Sequence, residues 1–267
     1  MKELYIRGIS GLLYVGLILG SVFFNQLLFT LVILIFSSLA IVEFQRLIDH
    51  KSYMPMALVI LLIYNFYQSK IHSPELFYPL VSVFIAHIFL IYWLFSKKTI
   101  HFGYLSKTLL TLFYMGLGCF FIIALGGNGD LFQSKNILLF FLLIWTNNSF
   151  AYLVGKKIGK NPLFDRISPN KSWEGFFGGI FFCLITAYIF HMFHPGSSLG
   201  FYCFTAILTG VMASVGDLIQ SKFKRYAKVK DSGSLIPGHG GFYDRMDSAI
   251  FVAPWFYFLL NFKEYVS

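Results

Sequence analysis

The chain has 267 residues, 57% of them hydrophobic, 20% aromatic and only 12% charged, with a formal net charge of +9. An ordinary soluble domain carries about 25% charged residues, so this composition excludes a water-soluble globular domain and predicts a polytopic integral membrane protein. Its fold class is expected to be all-α, because a backbone crossing lipid must satisfy its own polar groups and takes about 20 apolar residues to do so as a helix.

Apolar runs near residues 8–24, 27–45, 54–68, 76–96, 105–126, 136–155, 175–194, 199–220 and 246–262 predict nine transmembrane helices. The third, MPMALVILLIYNFYQ, is short and holds Asn65, so it tilts, stops short or belongs to a re-entrant turn. Nothing at the N-terminus has the cleavage site of a secretory signal, and Met1 to Arg7 reads as the start of a retained first helix.

Short cytoplasmic loops carry excess Lys and Arg. With a cytoplasmic N-terminus, nine spans place 18 of the 21 cations on the cytoplasmic side, leaving Lys70, Lys135 and Lys263 opposite, together with the C-terminus. The two most basic loops, Lys156 to Lys171 and Lys222 to Arg245, then face cytoplasmic nucleotides. Nucleic acid is not an expected partner.

Topology accounts for cations but not for acids. Asp contributes little to orientation and costs about 2.5 to 3.5 kcal/mol deep in a span, yet Asp217, Asp244 and Asp247 stand at or near the ends of the last two predicted helices. Gly210, Ser214, Asp217 and Ser221 recur at helical steps and share one small, polar face. Asp244 and Asp247 project from one side of a final helix that begins near Gly241.

Like charges repel, and a bare carboxylate cluster takes up protons or cations. A divalent metal answers this, and the three aspartates with the Ser221 hydroxyl make an oxygen set suited to Mg²⁺, which keeps waters and shares its shell with substrate phosphates. Lys224, Arg225, Lys228 and Lys230 are placed to hold phosphate oxygens, while Gly238, Gly240 and Gly241 let backbone N–H groups approach an anion. Acids for a metal and bases for phosphate point to a nucleotide.

The run SKFKRYAKVKDSGSLIPGHGGFYDRMD, Ser221 to Asp247, resembles the signature of the phosphatidate cytidylyltransferases, or CDP-diacylglycerol synthases: S-x-x-K-R, then K-D, H-G-G and D-R-x-D. A second block, Ala151 to Gly179, resembles that family's A-Y-x-x-G and S-P-x-K-[ST]-x-E-G elements. The resemblance implies transfer of the cytidylyl group of CTP to phosphatidic acid, giving CDP-diacylglycerol and pyrophosphate. It implies Asp217, Asp244 and Asp247 as metal ligands supported by Ser221, with Mg²⁺ as cofactor and a second metal ion as an option. Lys224, Arg225, Lys230, His239 and Arg245, with Gly240 and Gly241, are expected near the nucleotide phosphates; a structural turn role remains open for His239. Asp231 is read as orienting basic side chains. Residues 131–267 are expected to form the catalytic region and residues 1–130 about five supporting or dimerising helices. A homodimer is what the resemblance alone implies; the bacterial inner membrane is the expected location, with the site facing the cytoplasm as the cations predict.

Within the second block, Ser168 before Pro169 predicts a capped helix start that suits an anion. Lys171 and Ser172 are expected to reach the same phosphates, with Glu174 orienting a cation or a metal-bound water. One position departs from the family: where D-[ST]-x-A-Y is usual, Asn148 replaces the acid, offering an amide oxygen but no charge. Gly175, Gly178 and Gly179 predict close helix packing beside a polar cavity open to CTP from the cytoplasm and to phosphatidate from the leaflet. Cys119, Cys183 and Cys203 read as packing residues, and His191 and His194 as interfacial. Two rival functions remain in view, a CTP- or ATP-dependent polyprenol-type lipid kinase and an ion-coupled transporter. The kinase would need a base for its hydroxyl acceptor, and the transporter acids at mid-membrane.

Overall fold

The computed structural model describes residues 2–68, 73–97, 100–128, 132–235 and 240–266. Its N-terminal part contains α1 (Lys2–Phe24), α2 (Gln26–Leu47), α3 (Met54–Gln68), a 3-10 turn (Ser73–Leu76) and α4 (Phe77–Phe95). A continuous helical rod follows, made of α5 (Tyr104–Leu110), a π-helical turn (Thr111–Gly116) and α6 (Leu117–Ala124). The C-terminal part contains α7 (Ser134–Ile158), β1 (Pro162–Phe164), β2 (Ser168–Ser172), α8 (Trp173–Phe193), α9 (Leu199–Tyr226) and α10 (Tyr243–Val266).

Every predicted apolar run lies on a helix, but only six helical segments among the described residues are long and apolar enough to cross a membrane. They are Gln26–Leu47, Phe77–Phe95, Tyr104–Ala124, Ser134–Ile158, Trp173–Phe193 and Leu199–Tyr226. The apolar part of α1 is confined to Ile9–Phe24, and α3 has only 15 residues, so both fall short of the roughly 20 residues that span a bilayer upright. The tenth helix starts with Asp244, Arg245 and Asp247 in its first turn and a half, which lowers its hydropathy.

The expectation of a purely helical chain needs one correction. β1 and β2 pair antiparallel, with Pro162 opposite Ser172 and Phe164 opposite Ser168. The helix predicted to start at Ser168–Pro169 therefore starts later: Ser172 is the cap, its Oγ accepting from the Gly175 N–H at 3.1 Å. Proline lacks a ladder donor but is tolerated on an edge strand, and a two-stranded hairpin has only edges.

Small residues bring α7 and α8 together. A Cβ at Gly175 would lie 2.5 Å from the Ala151 carbonyl oxygen, and one at Gly178 only 2.7 Å from a Val154 methyl. Without competing hydrophobic drive in lipid, this close van der Waals contact is what associates helices. At the junction of the two halves, the buried rings of Phe44, Tyr114, Phe223 and Tyr243 form one cluster, with Phe44 4.9 Å from Phe223 and 5.7 Å from Tyr243. The Tyr114 and Tyr243 hydroxyls hydrogen-bond at 3.0 Å, fixing the start of α10 against the π-helical turn. Lys222 lies over the Trp93 ring at 4.5 Å and donates to the carbonyls of Trp93, Leu94 and Ser96 at the end of α4. A cation suits the negative end of a helix.

Gly175→Val should overpack the α7–α8 seam, at a cost of about 1–3 kcal/mol or more. Thermal unfolding of the full chain in micelles should show a lower midpoint for this variant and an unchanged one for Gly196→Ala, where no atom lies within 4 Å of the new methyl.

Candidate active site

The hairpin, α7, α8, α9 and α10 enclose a cavity of about 730 Å³, within the range of about 300–1,000 Å³ typical of small-molecule sites. Its wall takes Asn147, Asn148, Tyr152 and Lys156 from α7, and Ser168, Asn170, Lys171 and Ser172 from β2. Ser214, Asp217, Gln220 and Lys224 come from α9, Asp231 from the following loop, and Asp244, Arg245 and Asp247 from α10. Both motif blocks, more than 50 positions apart at Lys171 and Lys224, thus meet in one place.

Asp244 has the most contacts of the acids. Its Oδ1 accepts from Gln220 Nε2 and Lys224 Nζ, both at 2.8 Å. Its Oδ2 accepts from the Ser232 N–H and hydroxyl, both at 2.9 Å, and from the Gly241 N–H at 3.0 Å. The Lys224–Asp244 pair is mostly shielded, with side-chain exposures of 16% and 7%. Removing one partner of such a pair typically costs about 3–5 kcal/mol, because it strands the other charge. Asp217 Oδ2 pairs with Lys171 Nζ at 2.5 Å. Asp247 is 7% exposed, and its Oδ1 accepts from the Ser248 N–H at 2.6 Å.

Of the residues singled out in the sequence, Asn148, Ser168, Lys171, Ser172, Asp217, Lys224, Asp244, Arg245 and Asp247 line the cavity. Others lie off its wall and make structural contacts. Glu174 accepts from the Lys160 and Asn161 N–H groups and from Asn161 Nδ2, the last at 2.7 Å, so it closes the turn after α7. Arg225 Nε donates to the Ile167 carbonyl at 3.3 Å and braces the hairpin. Ser221 is buried, and Lys230 is exposed on the loop. Gly240 has a φ of +82°, a left-handed conformation that favours glycine, and Gly241 gives its N–H to Asp244. Gly238 and His239 lie outside the described residues.

Asn148 Nδ2 donates to Ser248 Oγ at 3.2 Å, and its Oδ1 accepts from Asn147 Nδ2 at 3.3 Å. The amide at the family's acidic position thus bridges α7 and α10. Five polar lining groups were not among the expected site residues: Asn147, Tyr152, Lys156, Asn170 and Gln220. Asn147 and Asn148 are adjacent polar residues inside an apolar run, and that was the available signal for the first.

Among the described residues no three His, Cys, Asp or Glu side chains converge to hold a metal by themselves. Mg²⁺ does not require this, since it is commonly held by one or two carboxylates, waters and substrate phosphates. Asp217 and Asp247, both on the cavity wall, fit that donor set, whereas both oxygens of Asp244 already accept from protein donors.

Fold and cavity define a helical membrane protein with an acid- and cation-lined cavity among its C-terminal helices. Residues 5–263 match the Cytidylyltransferase family. The chain is 34% identical to the phosphatidate cytidylyltransferase of Bacillus subtilis (strain 168) over 272 aligned positions, covering 97% of this chain and 98% of that protein. It is 39% identical to the phosphatidate cytidylyltransferase of Staphylococcus aureus (strain COL) over 185 positions, 66% of each chain. That of Staphylococcus epidermidis (strain ATCC 12228 / FDA PCI 1200) is 36% identical over 177 positions, again 66% of each. The chain belongs to the cytidylyltransferase family.

Asp244→Ala should release the loop that its carboxylate gathers. Limited trypsin digestion should cut after Lys230 at least about tenfold faster than in the parent, since loop cleavage follows local opening.

Proposed function

We propose that this protein transfers the cytidylyl group of CTP to phosphatidate, forming CDP-diacylglycerol and pyrophosphate at this cavity. The observation that carries the reading is the convergence of Lys171 from one motif block and Lys224, Arg245 and Asp247 from the other, together with Asp217, on one wall. Family membership and the activity for which its relatives are named support the same reaction.

A phosphatidate phosphate oxygen attacks the α-phosphorus of CTP, forming the new P–O bond as the bond to the β-phosphate oxygen breaks. Pyrophosphate leaves with that electron pair. The attacking phosphate is already ionised at neutral pH, so no side chain has to remove a proton. What the protein must supply is charge neutralisation and alignment of two polyanions. Lys171, Lys224 and Arg245 supply positive charge, and Asn148 and Ser172 supply polar contacts around it.

Lys171 and Asp217 neutralise one another across 2.5 Å. When Lys171 turns to a phosphate, Asp217 is released to take a hard cation. Asp217 and Asp247 would hold Mg²⁺, which when bound neutralises phosphate oxygens and polarises the phosphorus. Asp244 instead keeps Lys224 and the loop in register.

The nine apolar runs, with the N-terminus in the cytoplasm, form the membrane topology of this reading, and α1, α3 and α10 complete the count through local bilayer thinning and snorkelling of flanking side chains. The basic loops then place the cavity on the cytoplasmic side, where CTP is found. Phosphatidate arrives from the leaflet, because its acyl chains gain nothing by leaving the bilayer.

Labelled CTP and phosphatidate should give Mg²⁺-dependent CDP-diacylglycerol with the purified chain. Asp247→Asn should lower kcat at least about 100-fold, the loss expected when several kcal/mol of charge stabilisation goes. Asn148→Asp, which adds a carboxylate to the wall, should lower the Mg²⁺ concentration needed for half-maximal rate. Absence of product in both the parent and Asn148→Asp, or product formation indifferent to Mg²⁺ and to Asp247→Asn, would overturn the assignment.

A further inference from the structure

Glu43 lies in the last turn and a half of α2, where its long apolar stretch ends, and is fully buried, with 0% of its surface exposed. Its Oε2 accepts from the Tyr243 N–H at 2.9 Å and from the Ser232 hydroxyl at 3.0 Å, across 200 and 189 positions of sequence. Tyr243 is the first residue of α10, so a carboxylate from the N-terminal half sits on the positive end of the helix that carries Asp244, Arg245 and Asp247. Ser232 Oγ is also 2.9 Å from Asp244 Oδ2, so one hydroxyl stands between the two carboxylates.

Two glycines of the loop are shaped around the same side chain. A Cβ at Gly233 would lie 2.5 Å from Glu43 Oε1, and one at Gly241 would overlap Oε2. The sequence alone ties Gly241 to anion approach; here its missing side chain makes room for a carboxylate of the protein itself. An ionisable group buried in a span is costly unless it is used, and Glu43 takes no part in the transfer chemistry described above.

We propose that Glu43 is a positioning residue: its carboxylate seats Ser232, Gly233 and Gly241 and the start of α10, and so sets Asp247 and Arg245 against the nucleotide. The inference rests on the cytidylyl transfer proposed above. It also makes the N-terminal helices part of the active site's support.

The test uses the full chain in mixed micelles of detergent and phosphatidate. Glu43→Ala should lower kcat about 100-fold, as expected when reacting groups are displaced by about an ångström, with KM for CTP changed less than about threefold. Glu43→Gln keeps an acceptor oxygen of the same reach and should stay within about fivefold of the parent kcat. Hydrogen exchange at the Gly241 and Tyr243 amides should quicken at least about tenfold in Glu43→Ala and stay near the parent rate in Glu43→Gln. Should Glu43→Ala fail to fold, Ser232→Ala decides, with kcat expected to fall about tenfold and the same amides expected to exchange faster. Parent-like kcat and exchange in Glu43→Ala, or in its stand-in Ser232→Ala, would overturn the proposal, as would Glu43→Gln as impaired as Glu43→Ala. If the parent makes no CDP-diacylglycerol, the reaction assignment fails, and the exchange comparison alone decides the role of Glu43.

Discussion

The Asp244 carboxylate is the contact on which the site's geometry depends. Five donors reach it from three places: Gln220 and Lys224 on α9, Ser232 in the loop, and Gly241 at the threshold of α10. A loop leaving one helix and entering another has backbone groups that need partners, and a carboxylate with four lone-pair sites can gather several at once. The loop's described ends are held by the first aspartate of α10. Electrostatics make this hold stiff, since the pair with Lys224 is largely withdrawn from water.

Around that contact the acids and bases of the cavity are matched. Lys171 pairs with Asp217 and Lys224 with Asp244, so two cations and two acids coexist in a confined space without net repulsion. The arrangement rests on an aromatic floor in which Phe44, Tyr114, Phe223 and Tyr243 interlock, with centroid separations from 4.9 Å to 6.3 Å among the recorded contacts. Their ring geometries are mostly edge-on, the arrangement favoured by the aromatic quadrupole. Through this floor, and through Lys222 on the end of α4, the N-terminal helices bear directly on the placement of α9 and α10.

Much of the architecture was legible because lipid leaves few choices: an apolar run of 15 or more residues in such a chain is a helix, and each predicted run is one. The count of spans was less legible, since length and hydropathy grade continuously and α1, α3 and α10 sit at the margin. The hairpin escaped because three- and five-residue strands carry no usable periodicity, and Ser168–Pro169 carries a genuine helix-start pattern that Ser172 fulfils instead. In the site, Asp217 and Asp247 were singled out from residue type and spacing and Lys171 from the resemblance, and all three line the cavity. Which acid binds the protein and which faces the cavity was not, because the Ser232 and Gly241 donors depend on how the loop turns. Glu43 had a signal that the reading passed over, a single acid in a long apolar run. Its partner across 200 positions is visible only in the folded chain.

On the proposed reading, Asp217 and Asp247, with the cations beside them, would make the wall that receives a metal-bound nucleotide. The decisive experiment is calorimetric titration of CTP into the purified full chain, with and without Mg²⁺ and without phosphatidate. Saturable binding at one site per chain that requires Mg²⁺ and is lost in Asp217→Asn is the expected result. Equal CTP affinity in the parent and Asp217→Asn, unaffected by Mg²⁺, would contradict it.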